Sequence, residues 1–261
     1  MKRIVLIISL LISLGILTVN SQDSIVAIPD TAFLATLIEW GVDTNEDGLI
    51  SYAEAEAVEG LSVSVSSPDL PPGNISDLTG IEAFINLRNF RCAGNQLRNL
   101  DVSKNTLLEE LWCESNQLTN LNVSNNSALS RLYCSFNQLT NLDLSHCENL
   151  DLLHCSDNSL NNLDLSQNPK LGNVAGMLDG FYELDCSNNK LTSLDLGNNP
   201  ELRMINLSGN QLVSLDVSGN PNLFGHFKDI GIPVQGSLGI AEMASLEQVF
   251  IPCIEWEGEG C

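Results

Sequence analysis

Apolar residues recur with a period of 21 residues through the middle of the chain. Cysteines mark the same place in successive units: Cys92, Cys113, Cys134 and Cys155. An asparagine three residues later and a leucine five residues later keep the same step. The next cysteine, Cys186, follows after 31 residues, so about ten residues near 171–180 are inserted. Six complete units run from Leu87 to Asn222, and such repetition predicts a solenoid of stacked turns.

Each unit reads L-x-x-L-x-C-x-x-N-x-L-x-x-L-D-L-S-x-N-x-x, as LYCSFNQLTNLDLS illustrates. The L-x-C part alternates inward and outward positions and predicts a short strand, which buries its apolar side only against neighbouring turns. We expect the asparagine after the cysteine to turn inward and bond the backbone, and L-D-L-S-x-N to form a tight return turn. The repeat resembles the bacterial leucine-rich repeat family over more than half of the chain. This resemblance implies an α/β solenoid with parallel strands on its concave face.

The regularly spaced cysteines are open to interpretation as disulfides, metal ligands or buried thiols. Neighbouring strands lie about 4.8 Å apart, but their Cβ vectors run parallel, and a metal needs ligands that converge on one point. We therefore favour buried thiols that act as small hydrophobic residues. Cys147 replaces a turn asparagine, and we expect it near the surface. Cys253 and Cys261 flank a short C-terminal loop, where a disulfide is predicted in an oxidising compartment.

The N-terminal segment 1–21 reads as a secretory signal peptide. Lys2 and Arg3 precede a short apolar stretch, and small residues precede Gln22. A single membrane anchor is the alternative, but the apolar stretch is short for a bilayer. We expect an exported protein, secreted or at the cell surface, that is not inserted in a membrane after cleavage.

Residues 43–54, DTNEDGLISYAE, match the calcium-loop pattern D-x-[DN]-x-[DN]-G-x5-E at every specified place. The predicted Ca²⁺ ligands are oxygen atoms of Asp43, Asn45, Asp47, Leu49 (its backbone carbonyl), Ser51 and Glu54. Phe33, Leu37 and Trp40 lie at helical spacing before the loop, and SYAEAEAVEG predicts a helix that stops at Gly60. The alternative is a vestigial loop that keeps the fold without the ion. Because only one loop is present, we expect weak binding and a structural ion.

A helical, EF-hand-like cap before leucine-rich repeats resembles the N-terminal cap of internalin-type proteins. That resemblance implies adhesion or recognition through the concave face. The predicted organisation is a cap at 22–60, a junction with a divergent first repeat at 61–86, repeats at 87–222, and a C-terminal cap at 223–261.

The chain carries 33 acidic against 11 basic residues, a formal charge of −22. An acidic surface of this size argues against nucleic acid or an anionic membrane as a partner. One aspartate per turn forms a column in the return turn, and we expect this column to be a solvated face. Its members are Asp101, Asp143, Asp164, Asp195 and Asp216.

Aromatic residues occupy outward strand positions on three adjacent turns: Trp112, Tyr133 and His154. Phe136 lies just beyond the second of these strands, and Arg91 and Arg131 flank the group. Exposed Trp, Tyr and Arg together are typical of a binding hot spot, and flat rings could also stack on sugars. The alternative is that aromatic side chains simply suit strand faces.

We therefore predict a non-enzymatic recognition or adhesion module for a protein or a glycan. A polysaccharide-processing β-helix is an alternative, but the sequence shows no Ser-His-Asp, Cys-His or zinc-ligand set. A purely structural envelope component is the other alternative.

Overall fold

The computed structural model describes residues 24–64, 75–174, 182–217, 219–223 and 248–250. The predicted signal peptide, most of the insertion near 171–180 and most of the predicted C-terminal cap lie outside the described residues. The same is true of the predicted disulfide between Cys253 and Cys261.

Short parallel strands stack side by side in chain order to form a seven-stranded sheet. They are β1 (Gly60–Ser62), β2 (Asn89–Arg91), β3 (Glu110–Trp112), β4 (Arg131–Tyr133), β5 (Leu152–His154), β6 (Leu184–Asp185) and β7 (Ile205–Asn206). The register pairs equivalent residues of consecutive repeats, so that Glu110 pairs with Arg131. A separate parallel pair is formed by β8 (Ser214–Asp216) and β9 (Gln248–Phe250). The solenoid expected from the 21-residue repeat is confirmed.

The core is a continuous column of side chains contributed by successive turns. Leu97, Leu118 and Leu139 are fully buried at equivalent places, and burial of each such side chain stabilises the fold by about 1.5–3 kcal/mol. The cysteines of the strand positions are fully buried free thiols, as expected. They are Cys92, Cys113, Cys134, Cys155 and Cys186. Burial raises the pKa of each of these thiols well above its ordinary value.

The asparagine after each of these strands bonds consecutive turns together, as the sequence predicted. Asn116 is buried, and its side-chain amide donates hydrogen bonds to the carbonyls of Cys92 (3.0 Å) and Cys113 (3.1 Å). Its Oδ1 atom accepts the N–H of Leu97 at 3.0 Å. These bonds satisfy backbone groups at the point where the strand ladder ends.

A second row of asparagines lies in the return turns, where the sequence placed it, but its burial in the core was not predicted. Its members have no exposed surface: Asn105, Asn126, Asn168, Asn199 and Asn220. Asn126, for example, donates to the carbonyls of Val102 (3.1 Å) and Asn105 (2.8 Å). Cys147 occupies the same place in its turn, so the expectation of a surface position is wrong. Its side chain is fully buried and its thiol lies 3.8 Å from the Val123 carbonyl, because this position points into the core.

The aspartate column is a solvated face, as expected. Asp101, Asp143 and Asp164 are exposed, and each accepts the backbone N–H two residues further on. Those hydrogen bonds close the return turns. Together, the side chain and the backbone N–H of the serine at that place lower the pKa of each of the three carboxyl groups.

Two helices, α1 (Thr31–Glu39) and α2 (Tyr52–Glu56), precede the sheet. Asp30 caps α1 through Oδ1, while its Oδ2 atom accepts the N–H of Ser76 at 2.9 Å and so ties the helix to the first turn. Phe33 and Leu37 are fully buried as their spacing predicts, whereas Trp40 follows the last helical residue and is 59% exposed. In the described part of the chain, no helix is long and apolar enough to cross a membrane.

The helix after the loop ends earlier than the sequence suggested. Helix α2 stops at Glu56, and Gly60, expected as the helix stop, opens strand β1 instead. The Glu59 carbonyl accepts the N–H groups of Arg88 (2.7 Å) and Asn89 (3.2 Å). Sheet pairing with the first repeat therefore overrides the helix propensity of this segment.

Candidate functional site

The last outward residues of β2 to β5 form a stack of flat groups across four turns. The Arg91 guanidinium carbon lies 4.4 Å from the centroid of the Trp112 ring. The rings of Trp112 and Tyr133 stack with centroids 3.9 Å apart and planes at 26°. Tyr133 meets His154 edge to face at 5.1 Å. We call these four residues the aromatic stack.

Both faces of the Trp112 ring are covered by its neighbours in the stack. Strand order places Arg91 on one face of Trp112 and Tyr133 on the other. His154 is fixed at the far end, where its Nε2 atom lies 2.7 Å from the carbonyl oxygen of Tyr182. Because a sugar ring binds an aromatic face, Trp112 has no open face to offer one.

Charged groups lie beside the stack in a connected network. Arg131 pairs with Glu110 at 2.8 Å (Nη1 to Oε1), and its Nε atom lies 3.8 Å from Asp151 Oδ1. Burial raises the pKa of Asp151, and the positive charge of Arg131 opposes that shift. Burial also raises the pKa of Glu114, against the influence of Arg91. The repeat pattern singled out Arg131 but not its carboxylate partners, although Glu110 lies one 21-residue repeat before it and the opposite charges were a readable signal.

Phe136 lies outside the stack, at the turn that follows β4, and has an unusual backbone conformation. Its φ is 55°, in the left-handed region, and 57% of its surface is exposed. Equivalent positions of other turns also have positive φ but carry small or polar residues: Gly94, Ser115, Asp157, Asn188 and Gly209. A bulky side chain is disfavoured in this conformation. The exposed ring is therefore present in spite of the local backbone preference.

The loop at 43–54 has the turns expected of the calcium-loop pattern. Gly48 has a φ of 81°, and its N–H is accepted by Asp43 Oδ2 at 2.8 Å. Asn45 accepts the N–H of Asp47 (2.9 Å), and Asp47 accepts that of Leu49 (2.9 Å). The donor set consists of the hard oxygen atoms that Ca²⁺ prefers, so its chemistry fits the ion.

Glu54 has the carboxylate that Ca²⁺ prefers, but both of its oxygen atoms already accept hydrogen bonds from the loop. Its Oε1 atom accepts hydrogen bonds from the Thr44 N–H (2.7 Å), the Thr44 hydroxyl (2.8 Å) and the Asn45 N–H (3.3 Å). Its Oε2 atom accepts from the N–H and the hydroxyl of Ser51, both at 2.9 Å. Burial opposes ionisation, but these hydrogen bonds lower the pKa of Glu54 to about 2. Across the described ranges, no group of three or more His, Cys, Asp or Glu side chains is arranged to hold a metal.

No protein-family model matches the chain, and no curated protein matches it in sequence. Solved structures do match. An internalin (inlF) of Listeria monocytogenes is 15% identical, over 85% of this chain and 68% of that one, with a TM-score of 0.51. A leucine-rich repeat protein of Leptospira interrogans is 19% identical, over 78% of this chain and 45% of that one, also at 0.51.

The functional domain of InlJ from Listeria monocytogenes, described as including a cysteine ladder, is 22% identical with a TM-score of 0.30. The match covers 78% of this chain, which spans only 65% of that domain. Likeness at these identities concerns the fold. The two matches with a TM-score of 0.51, together with the sheet of parallel strands in chain order, show that this chain is a leucine-rich repeat solenoid whose fold is similar to that of an internalin.

Proposed function

We propose that this chain is an exported, non-enzymatic recognition or adhesion module that binds a protein partner on its concave strand face. The observation that carries the proposal is the aromatic stack with its adjoining charge network. Trp, Tyr and Arg are the residues that most often dominate binding energy at interfaces. The internalin-like fold supports the same class of function.

Two features favour a protein over a glycan. The faces of Trp112 are covered by Arg91 and Tyr133, so the site lacks the open ring on which a sugar stacks. The exposed Phe136 ring, held in a disfavoured backbone conformation, supplies an apolar group of the kind that fills a pocket on a protein. The strongly acidic chain would attract a partner with a basic surface and speed its association.

The experiment uses a phage-displayed random peptide library selected on the chain without residues 1–21. Peptides rich in Lys, Arg and apolar residues should be enriched, because the target is acidic with aromatic anchors. Trp112→Ala and Phe136→Ser should each weaken binding of the selected peptides by about tenfold or more. Serine is chosen for position 136 because Ser115 tolerates the same backbone conformation.

Val213→Ser is the matched control, since Val213 is a second exposed hydrophobic residue, 51% exposed, outside this surface. Its affinity for the selected peptides should be unchanged. If the selected peptides bind all variants equally, the aromatic stack and Phe136 are not the binding site. Binding confined to carbohydrates on a glycan array would replace the protein partner with a glycan.

We also propose that the loop at 43–54 binds Ca²⁺ weakly, through Asp43, Asn45, Asp47, Ser51, Glu54 and the Leu49 carbonyl. Support comes from the hard oxygen donors and from the turn conformation at Gly48. The ion would brace the cap against the first repeat. Calcium calorimetry should show millimolar-range binding that Glu54→Gln abolishes. Binding that persists in Glu54→Gln would show that the ion binds outside this loop.

A further inference from the structure

Glu54 occupies the last place of the calcium-loop pattern, but hydrogen-bond donors of the same loop already hold its carboxylate. Its two oxygen atoms accept five hydrogen bonds, three from Thr44 and Asn45 and two from Ser51. A bidentate ligand of Ca²⁺ must offer both oxygen atoms to the ion. A bound ion and the Thr44 hydroxyl would therefore compete for the Oε1 atom of Glu54.

We propose that Thr44 is an internal competitor of Ca²⁺, whose hydroxyl closes the loop on Glu54 and thereby sets a low calcium affinity. Thr44 is the second residue of the loop pattern, a place to which the pattern assigns no ligand. Its hydroxyl lies 2.8 Å from Glu54 Oε1. Hydrogen bonds to a charged group are among the stronger ones, so its loss should raise calcium affinity by about tenfold.

Backbone hydrogen bonds to the segment before the first helix also hold the loop, and they do not depend on an ion. The N–H of Val26 bonds the carbonyl of Ile50 at 2.8 Å, and the N–H of Tyr52 bonds the carbonyl of Ser24 at 2.9 Å. Residue Ile25 thereby forms an antiparallel bridge with Ser51. Because this N-terminal segment holds the second half of the loop, the loop can stay folded when the Thr44 hydroxyl is removed.

The test compares Thr44→Val, which keeps the shape of threonine without its hydroxyl, with Thr44→Ser, which keeps the hydroxyl. Calcium chloride is titrated into each variant, the wild type and Glu54→Gln by calorimetry, in metal-depleted buffer. We expect Thr44→Val to bind about tenfold more tightly than wild type, and Thr44→Ser to match wild type. In excess chelator, Thr44→Val should also melt at a lower temperature than Thr44→Ser.

This inference rests on the calcium site proposed above, and the outcomes separate the two. Equal affinities of Thr44→Val and Thr44→Ser would leave the calcium site intact and overturn the role of Thr44. Absence of calcium binding in every variant, Thr44→Val included, would overturn both. Retained binding in Glu54→Gln would also overturn both, because the competition is for that carboxylate.

Discussion

The buried asparagine row beside the strands provides the sharpest prediction about stability. We expect Asn116→Ala to lower the free energy of unfolding by about 2–3 kcal/mol. In the wild type this side chain accepts the N–H of Leu97 and donates to the carbonyls of Cys92 and Cys113, and it is 9% exposed. Alanine can replace none of these bonds.

The magnitude follows from which backbone groups lose their partner. The Leu97 N–H loses the acceptor that Asn116 provides, and an unsatisfied buried donor costs about 1–3 kcal/mol. The two carbonyls suffer less, because Cys92 also accepts from Asn95 (3.2 Å) and Cys113 from Asn137 (3.0 Å). Their contribution adds about 1 kcal/mol at most.

The assay is urea unfolding followed by far-ultraviolet circular dichroism, with Asn120→Ala as the matched control. Asn120 is an exposed asparagine of the same turn, and its replacement should change stability by less than about 0.5 kcal/mol. Amide exchange at Leu97 should accelerate in Asn116→Ala alone. If both variants unfold at the same urea concentration as wild type, the bonds of this row do not hold the turns together.

Three further predictions concern stability in acid, the reactivity of the buried thiols and the replacement of Gly172. Hydrogen bonding lowers the pKa of Glu54 from 4.5 to about 2, so the ionised carboxylate stabilises the fold fully above pH 4.5 and this stabilisation is lost as the pH falls toward 2. In that pH window the urea midpoint of the wild type should therefore drop more than that of Glu54→Gln. Parallel profiles of the two proteins would contradict this. The six described cysteines are buried with raised thiol pKa values, so iodoacetamide should label none of them before denaturation, as peptide mass spectrometry can check. Gly172→Ala should cost at least about 2 kcal/mol, because φ is 97° and a Cβ would lie 2.5 Å from the backbone of Glu201. Gly60→Ala, where a Cβ meets nothing within 4 Å, is its control, and equal melting temperatures would refute the clash.

The sequence predicted those parts of the fold that follow from the residue pattern within a single repeat. Period, strand position and the inward turn of the first asparagine row follow from one 21-residue unit, because identical units can bury their apolar sides only against each other. The same alternation placed Trp112 and Tyr133 outward on adjacent strands, as the register and the burial pattern of these strands confirm. Which ions and partners these groups bind stays a prediction.

Features that depend on contact between distant residues required the tertiary structure. The burial of Cys147 and of the second asparagine row could not be read locally, because a turn sequence does not show which way its side chains face. The covered faces of Trp112 depend on the distance between side chains of neighbouring turns. Likewise, the pattern of the calcium loop identified Glu54 as a ligand, and only the folded loop revealed that Thr44 and Ser51 hold it. Local alternation thus determined the architecture, whereas packing decided which donors hold the Glu54 carboxylate and which side chains cover Trp112.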